Sequence, residues 1–186
     1  AGFVHATMKD TPPALAWDPA MPADQIPAWR EAVREKLREL MQFPDVPDQP
    51  DPRMLSSEPR DGYQLQKWEA YPEPRSAVPF LVAIPEDAPK PAPAVLCFPG
   101  SSRTNLGLAG EPEESDDRHW DANRMALHYA REGMVAIAVE NPCMGGRRAE
   151  FGANRAEIAL NLIWMGRSYE GLSVFDRPLA RFAPLR

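Results

Sequence analysis

Two short runs without a single polar side chain, Ala94-Val95-Leu96-Cys97-Phe98 and Met134-Val135-Ala136-Ile137-Ala138-Val139, constrain this chain more than any other feature of its sequence. A strand apolar at every position, instead of at alternate ones, is expected to be covered on both faces. Between the two runs, Trp120 to Arg131 has helical spacing, and Gly133 stands just past its end, where a helix C-cap wants a glycine. Strand, helix, strand of this kind is the signature of a crossover between parallel strands.

The preceding region reads differently. Tyr63 to Tyr71 alternates large and polar residues, which suits a half-solvated strand, and Val78 to Ile84 is a second, more apolar one. Pro85 to Pro93 reads as a turn. Pro27 opens a strong helix over Ala28–Gln42, with Trp29, Val33, Leu37, Leu40 and Met41 at helical spacing. The 22 prolines among 186 residues are more than twice the usual share of roughly 5%. They make residues 1–26 an arm and residues 44–60 a connector. Beyond the second apolar run, Asn141-Pro142 and Gly145-Gly146 form a turn, and Ala153 to about Tyr169 is a last helical pattern. The expected fold class is α/β, with a mostly parallel sheet, an antiparallel edge and an N-terminal helical arm. The expected organisation is arm and helix over residues 1–60, a sheet domain over 61–176 and a divergent tail over 177–186.

The net charge is −6, with no stripe of Lys or Arg, which argues against nucleic acid and anionic membrane surfaces as partners. No run approaches the ~18 apolar residues of a membrane span. The first residues lack the basic and apolar regions of a signal peptide, although a signal already removed would leave no trace. The two cysteines, Cys97 and Cys143, make neither a disulfide framework nor a zinc signature. They read as buried free thiols, which slightly favours a reducing compartment such as the cytoplasm. Neither metal nor cofactor is expected.

Chemistry is best sought where the first apolar run ends. Pro99-Gly100-Ser101-Ser102 follows at once, and small residues there let the backbone turn sharply with N–H groups pointing outward. Such amides can stabilise an oxyanion developing on an ester carbonyl; an ordinary glycine turn at a strand end is the alternative reading. The three histidines do not complete a triad. His5 lies in the arm, His128 in mid-helix, and His119 beside Asp116 and Asp117 lacks the second-site spacing of a metal centre. Cys143 follows a strand, but Asn141 and Pro142 occupy positions where a nucleophile elbow wants small residues.

Pro99-Gly100-Ser101-Ser102-Arg103-Thr104 with Leu108-Ala109-Gly110-Glu111-Pro112 resembles the oxyanion loop of acetyl xylan esterase-like α/β hydrolases, a branch similar to the dienelactone hydrolase superfamily. Glu140-Asn141-Pro142-Cys143-Met144-Gly145-Gly146-Arg147 and Gly166-Arg167-Ser168-Tyr169-Glu170-Gly171-Leu172 agree with it. So does the helix with Trp29-Arg30 and Lys36-Leu37. The similarity spans roughly Pro27 to Asp176. It implies an incomplete α/β-hydrolase fold, and it places the backbone N–H of Ser101 or Ser102 in the oxyanion hole beside Gly100. It also implies carboxylic ester hydrolysis of acetyl or similar small esters of carbohydrate. The family's G-x-S-x-G nucleophile turn is missing. Gly166 to Gly171 comes near it, but the second glycine falls one residue late, so Ser168 reads as structural. With nucleophile, acid and histidine absent, the chain alone is expected to be inactive. A non-catalytic module binding carbohydrate or a partner is the alternative. The resemblance implies a strand order that leaves the Ala94–Phe98 strand without its outer neighbour, an edge expected to promote self-association.

Overall fold

The computed structural model describes residues 2–43, 52–100, 104–112, 124–148 and 154–176, which fall into two compact units divided after Gln42. The first unit holds helices α1 (Gly2–Asp10) and α2 (Ile26–Met41). Helix α1 lies within the stretch read in sequence as an arm, residues 1–26. It buries no residue, and its Thr7 hydroxyl donates to the Phe3 carbonyl at 3.0 Å. Helix α2 begins as the sequence predicts, with Pro27 in its first turn, where the missing N–H has no partner to lose. The stretch before it is drawn onto this helix by two contacts of Trp29. Its indole N–H donates to the Leu15 carbonyl at 3.3 Å, and its ring packs 4.9 Å from that of Trp17.

The second unit is built on a five-stranded sheet: β1 (Arg53–Arg60), β2 (Tyr63–Glu73), β3 (Ser76–Pro85), β4 (Ala94–Cys97) and β5 (Val135–Val139), in the order β1-β2-β3-β5-β4. Strands β2, β3, β4 and β5 fall where the two-residue alternation and the apolar runs predict them. Their spatial order is the one that the resemblance implies. Two expectations need correction. Residues 53–60 of the supposed connector form β1, paired antiparallel to β2 with a bulge between Met54 and Ser56. The sheet is also mostly antiparallel: β1/β2, β2/β3 and β3/β5 run antiparallel, and β4/β5 alone runs parallel. The reason is connectivity. Hairpin neighbours β1–β2 and β2–β3 must run antiparallel, and β4 runs opposite to β3, so the one crossover among the described strands leaves β5 parallel to β4 and antiparallel to β3.

That crossover carries α3 (Asn105–Ala109) and α4 (Met125–Arg131). Helix α3 lies within Pro99 to about Arg118, a stretch rich in Gly, Ser and acidic residues that reads in sequence as a long loop. Both helices lie on one sheet face, where Leu108, Ala109, Ala126, Leu127 and Ala130 pack against Leu65, Leu81, Cys97, Ala136 and Ala138. The opposite face gathers Trp68, Val78, Phe80, Val82, Val135, Ile137 and Val139. Strand β5 thus turns its small alanines to the helices and its branched residues away, so α4 can approach closely while the other face fills with volume. Gly133, φ +83°, ends α4 as expected. Strand β4 departs from the fully covered strand that its composition suggests. Ala94 and Leu96 are exposed, Leu96 by 40%, because β4 is the outermost strand among the described residues.

The last helical pattern divides into α5 (Arg155–Trp164) and α6 (Tyr169–Asp176). Helix α5 opens on a reciprocal cap, in which the Asn154 side chain accepts from the Glu157 amide while the Glu157 carboxylate accepts from the Asn154 amide. Between the helices, Arg167 grips the Glu73 carboxylate with both Nη1, at 2.7 Å, and Nη2. The Arg167 hydrogen bond holds the Glu73 carboxyl below its ordinary value of 4.5, against an opposing push from burial. A depressed folded-state value means that this contribution is fully present above about pH 4.5 and is lost as pH falls through the folded value below it. Arg167→Ala is expected to cost about 1–2 kcal/mol at neutral pH. Urea melts of both proteins should converge in acid; a gap independent of pH would show that the pair contributes nothing through charge.

Candidate oxyanion site

In sheets with parallel strands, ligands are met outside the carboxyl ends of those strands. Here these are the ends of β4 and β5. Strand β4 runs out through Phe98 into buried Pro99 and exposed Gly100, where a Cβ would meet no atom within 4 Å. Strand β5 runs out into Glu140, a carboxylate only 1% exposed. Its backbone continues the ladder, the Glu140 amide donating to the Pro79 carbonyl at 3.0 Å.

A buried carboxylate needs donors, and two backbone amides supply them. The amide of Asn141 donates to Glu140 Oε1 at 3.0 Å, and that of Asn105, the first residue of α3, donates to Oε2 at 3.2 Å. The Asn141 side chain reaches the other way: its Nδ2 donates to the Pro99 carbonyl at 2.7 Å. Two consecutive residues at the end of β5 therefore hold positions on either side of the segment that carries Gly100, Ser101 and Ser102. Gly145 completes the arrangement. Its φ is +44°, and a Cβ there would stand 2.2 Å from Glu140 Oε2, so the carboxylate occupies the space that any side chain would need.

The segment beyond α3 is fixed as well. Arg60 at the end of β1 donates through Nε and Nη2 to the two oxygens of Glu111, at 3.0 Å each, and Nη2 also reaches Glu58 at 3.0 Å. Glu111 is thus engaged in a bidentate pair and does not stand as a general base. On the β5 side, the Tyr169 hydroxyl donates to the Pro142 carbonyl at 2.9 Å, joining the turn to α6.

The structure places Gly100 at the mouth of this arrangement, while Ser101 and Ser102 lie outside the described residues. So do Asp116, Asp117 and His119. His128 is exposed on α4 and His5 on α1, in different units of the chain. No group of three His, Cys, Asp or Glu side chains among the described residues could hold a metal ion. Ser168 is a cap: its Oγ accepts from the Gly171 amide at 2.8 Å, at the start of α6. Cys143 has a left-handed backbone, φ +62°, but burial pushes its thiol above the ordinary value, opposed by Arg147 and Arg155. Such a thiol is protonated at neutral pH and is a poor nucleophile. Burial pushes Cys97 further, to about 11. Sequence reasoning quotes Glu140 at the head of a family-like segment and makes Asn141–Arg147 a loop, with no role for either Glu140 or Asn141. The signal for them was a charged residue directly after a fully apolar strand, where burial demands a partner.

A cleft of about 690 Å³ lies at the other end of the sheet, lined by Ile84, Pro85, Pro91, Ala92, Ala94 and Val135 among others. Its lining includes no serine, threonine or cysteine. Among the described residues, no helix is long and apolar enough to cross a membrane.

Comparison with known proteins agrees with this architecture. The model of a family described as the Abhydrolase family matches residues 1–175. A solved structure from Bacteroides fragilis NCTC 9343, of a protein provisionally named an acetyl xylan esterase, is 34% identical. It superposes with a TM-score of 0.85 over 100% of this chain and 50% of its own. A methylesterase structure is 18% identical, with a TM-score of 0.50, covering 82% of this chain and 31% of its own; it supports the fold alone. The chain thus spans about half the length of the first of these and less of the second. No curated protein matches.

Proposed function

The chain belongs to the Abhydrolase family, and from that premise we propose that it contributes the oxyanion side of a carboxylic ester hydrolase site acting on small acetyl esters. A protein of which it spans half, and with which it shares 34% of its residues, carries the name of an acetyl xylan esterase, which supports acetylated carbohydrate as the substrate class. The observation that carries the reading is the double tie from Glu140 and Asn141 to the residues flanking the Gly100–Ser102 segment, at the carboxyl end of the parallel pair. Preorganised amides at that place lower the barrier to acyl transfer by meeting charge as it develops on the carbonyl oxygen. In the complete reaction a serine attacks the carbonyl, a histidine carries the proton, and a carboxylate orients the histidine. None of these three is assigned to this chain.

The test is hydrolysis of p-nitrophenyl acetate by the purified chain, alone and co-expressed with the C-terminal half of the Bacteroides fragilis protein. The chain alone is expected to stay at the uncatalysed background. The assembled halves are expected to turn over substrate and to be silenced by a serine-directed phosphonate. Saturable, phosphonate-sensitive turnover by the chain alone would overturn the assignment of the nucleophile elsewhere. Inactive assembled halves that still bind acetylated xylo-oligosaccharide would favour the second reading, a non-catalytic binding module, which the missing G-x-S-x-G turn also supports.

A further inference from the structure

We propose that the cleft between the β1–β2 turn, the end of β3 and the C-terminus of α4 is a binding subsite for a neutral saccharide ring, floored by Tyr63 and rimmed by Asp61, Asp87 and Arg131. The inference goes beyond the reading above and uses none of its residues. The cleft holds about 230 Å³. That is below the roughly 300–1,000 Å³ of a site for a drug-sized molecule and suits a single sugar ring. Backbone hydrogen bonds fix its walls. The Glu86 amide donates to the Gly62 carbonyl at 3.2 Å, and the Ala88 amide donates to the Pro85 carbonyl at 3.3 Å, so the turns that bear Asp61 and Asp87 adjoin. On the third side, the Gly133 amide closes α4 on the Ala130 carbonyl at 3.0 Å. Tyr63 stands opposite Pro85 in the β2–β3 ladder and belongs to the same packed layer as Leu127 and Ala130.

The floor carries the signal. Tyr63 is only 7% exposed, and a hydroxyl so deeply placed ordinarily has a hydrogen-bond partner. Among the described residues it has none, and its oxygen is not sealed off, so a molecule in the cleft that Tyr63 lines can reach it. Burial raises this hydroxyl above its ordinary value of 10, Glu111 and Asp61 add to the shift, and Arg60 and Arg131 oppose it. It is therefore neutral, and both donates and accepts. The Asp61 and Asp87 carboxylates and the Arg131 guanidinium are exposed, and none of the three forms an ion pair among the described residues. Such a rim selects by charge. An anion would face two carboxylates, and a cation would face the guanidinium. No third His, Cys, Asp or Glu among the described residues joins the two aspartates to hold a metal ion. A saccharide is uncharged and its hydroxyls do both tasks. They donate to Asp61 and Asp87, which only accept, and they accept from Arg131, which only donates.

The test uses the full chain labelled with ¹⁵N and methyl β-xylopyranoside as the probe, a single ring that carries no ester. Amide shifts are followed at Gly62, Asp87 and Gly133, with Ile137 in the sheet as reference. In the wild type, the probe at millimolar concentration is expected to move the three amides and leave Ile137 in place. Asp87→Ala and Arg131→Ala, both at exposed positions, are each expected to weaken binding about tenfold. Tyr63→Phe, which removes the hydroxyl alone, is expected to weaken it about three- to tenfold. Lys90→Ala, in the lining of the neighbouring cleft, is expected to change nothing. Calcium chloride and sodium phosphate, titrated separately, are expected to leave the three amides unmoved. A response to either salt in place of the xyloside overturns the saccharide assignment. So do amides that the xyloside leaves still, or an affinity that Asp87→Ala and Arg131→Ala do not change; water alone then meets the Tyr63 hydroxyl. If Tyr63→Phe does not fold, the two rim variants decide, since neither residue belongs to a buried cluster. Failure here leaves the oxyanion reading standing, because that reading is decided by turnover of p-nitrophenyl acetate.

Discussion

Phe80→Ala is expected to destabilise the sheet unit by about 4 kcal/mol, since Phe80 is the largest of the fully buried side chains among the described residues. Phe80 is 1% exposed and stands directly opposite Trp68 across the β2–β3 pair, their rings stacked with centroids 6.2 Å apart. Around them lie Val78, Val82, Ile137 and Val139, all buried and all on strands. Backbones in ladders cannot collapse into a void, so the cavity left by the ring would stay open. The cost is a large fraction of the roughly 5–15 kcal/mol that holds a domain of ordinary stability together. Urea denaturation should show a lower midpoint with an unchanged slope. Phe80→Leu should recover most of the difference, because it restores volume without polarity. A Phe80→Ala midpoint within experimental error of wild type would mean that this face of the sheet is not the packed layer described.

The second large effect concerns β4. Among the described residues its outer edge has no strand beside it, and Leu96 projects from it 40% exposed. An open strand edge carrying apolar side chains is a template for pairing with another chain, and proteins commonly blunt such edges with lysine. The purified chain is expected to elute in size-exclusion chromatography as an associated species, and Leu96→Lys is expected to shift most of it to the monomer position. Leu96 belongs to neither buried cluster, so the substitution leaves the core intact. A wild-type chain that runs as a clean, cooperatively melting monomer would sink this expectation. So would association that survives Leu96→Lys and disappears on Trp164→Glu, since Trp164 on α5 is 91% exposed and offers the competing apolar contact.

The parts of the fold that sequence reveals are those in which burial writes a pattern. Strand β2 alternates in burial along its length, whereas β3 and β5 are more continuously apolar because both their faces are covered. Strand β1 escaped for the converse reason. It is an edge strand whose residues are mostly exposed, with Pro59 inside it, so no apolar periodicity marks it. Helix α1 likewise buries nothing, and its sequence carries no face to detect. The sheet was expected to be mostly parallel because one crossover was generalised to the whole, although the alternating strands already argued for hairpins. At the candidate site, the small residues after β4 are what draw attention to Gly100 in the sequence. The charge directly after β5 signals a buried group in need of a partner, but local spacing does not say which: Glu140 accepts from the Asn105 amide 35 positions away, and the Asn141 side chain donates to the Pro99 carbonyl 42 positions away. Ser168 was read as structural, and the structure supplies the reason in its cap on α6.

The order of connections also governs how the molecule is assembled in time. The meander β1–β2–β3 joins neighbours in sequence through short turns, so it can close as soon as Pro85 has left the ribosome, by contacts that are local and fast. Strand β4 is synthesised next, but its partner among the described strands is β5, which follows α3 and α4 in the chain. Until Val135 emerges, a nascent apolar strand waits beside a finished ribbon with no place to insert. Chaperone dependence during synthesis should therefore concentrate on the interval between Cys97 and Val135, and slowing translation within it should lower the yield of folded chain.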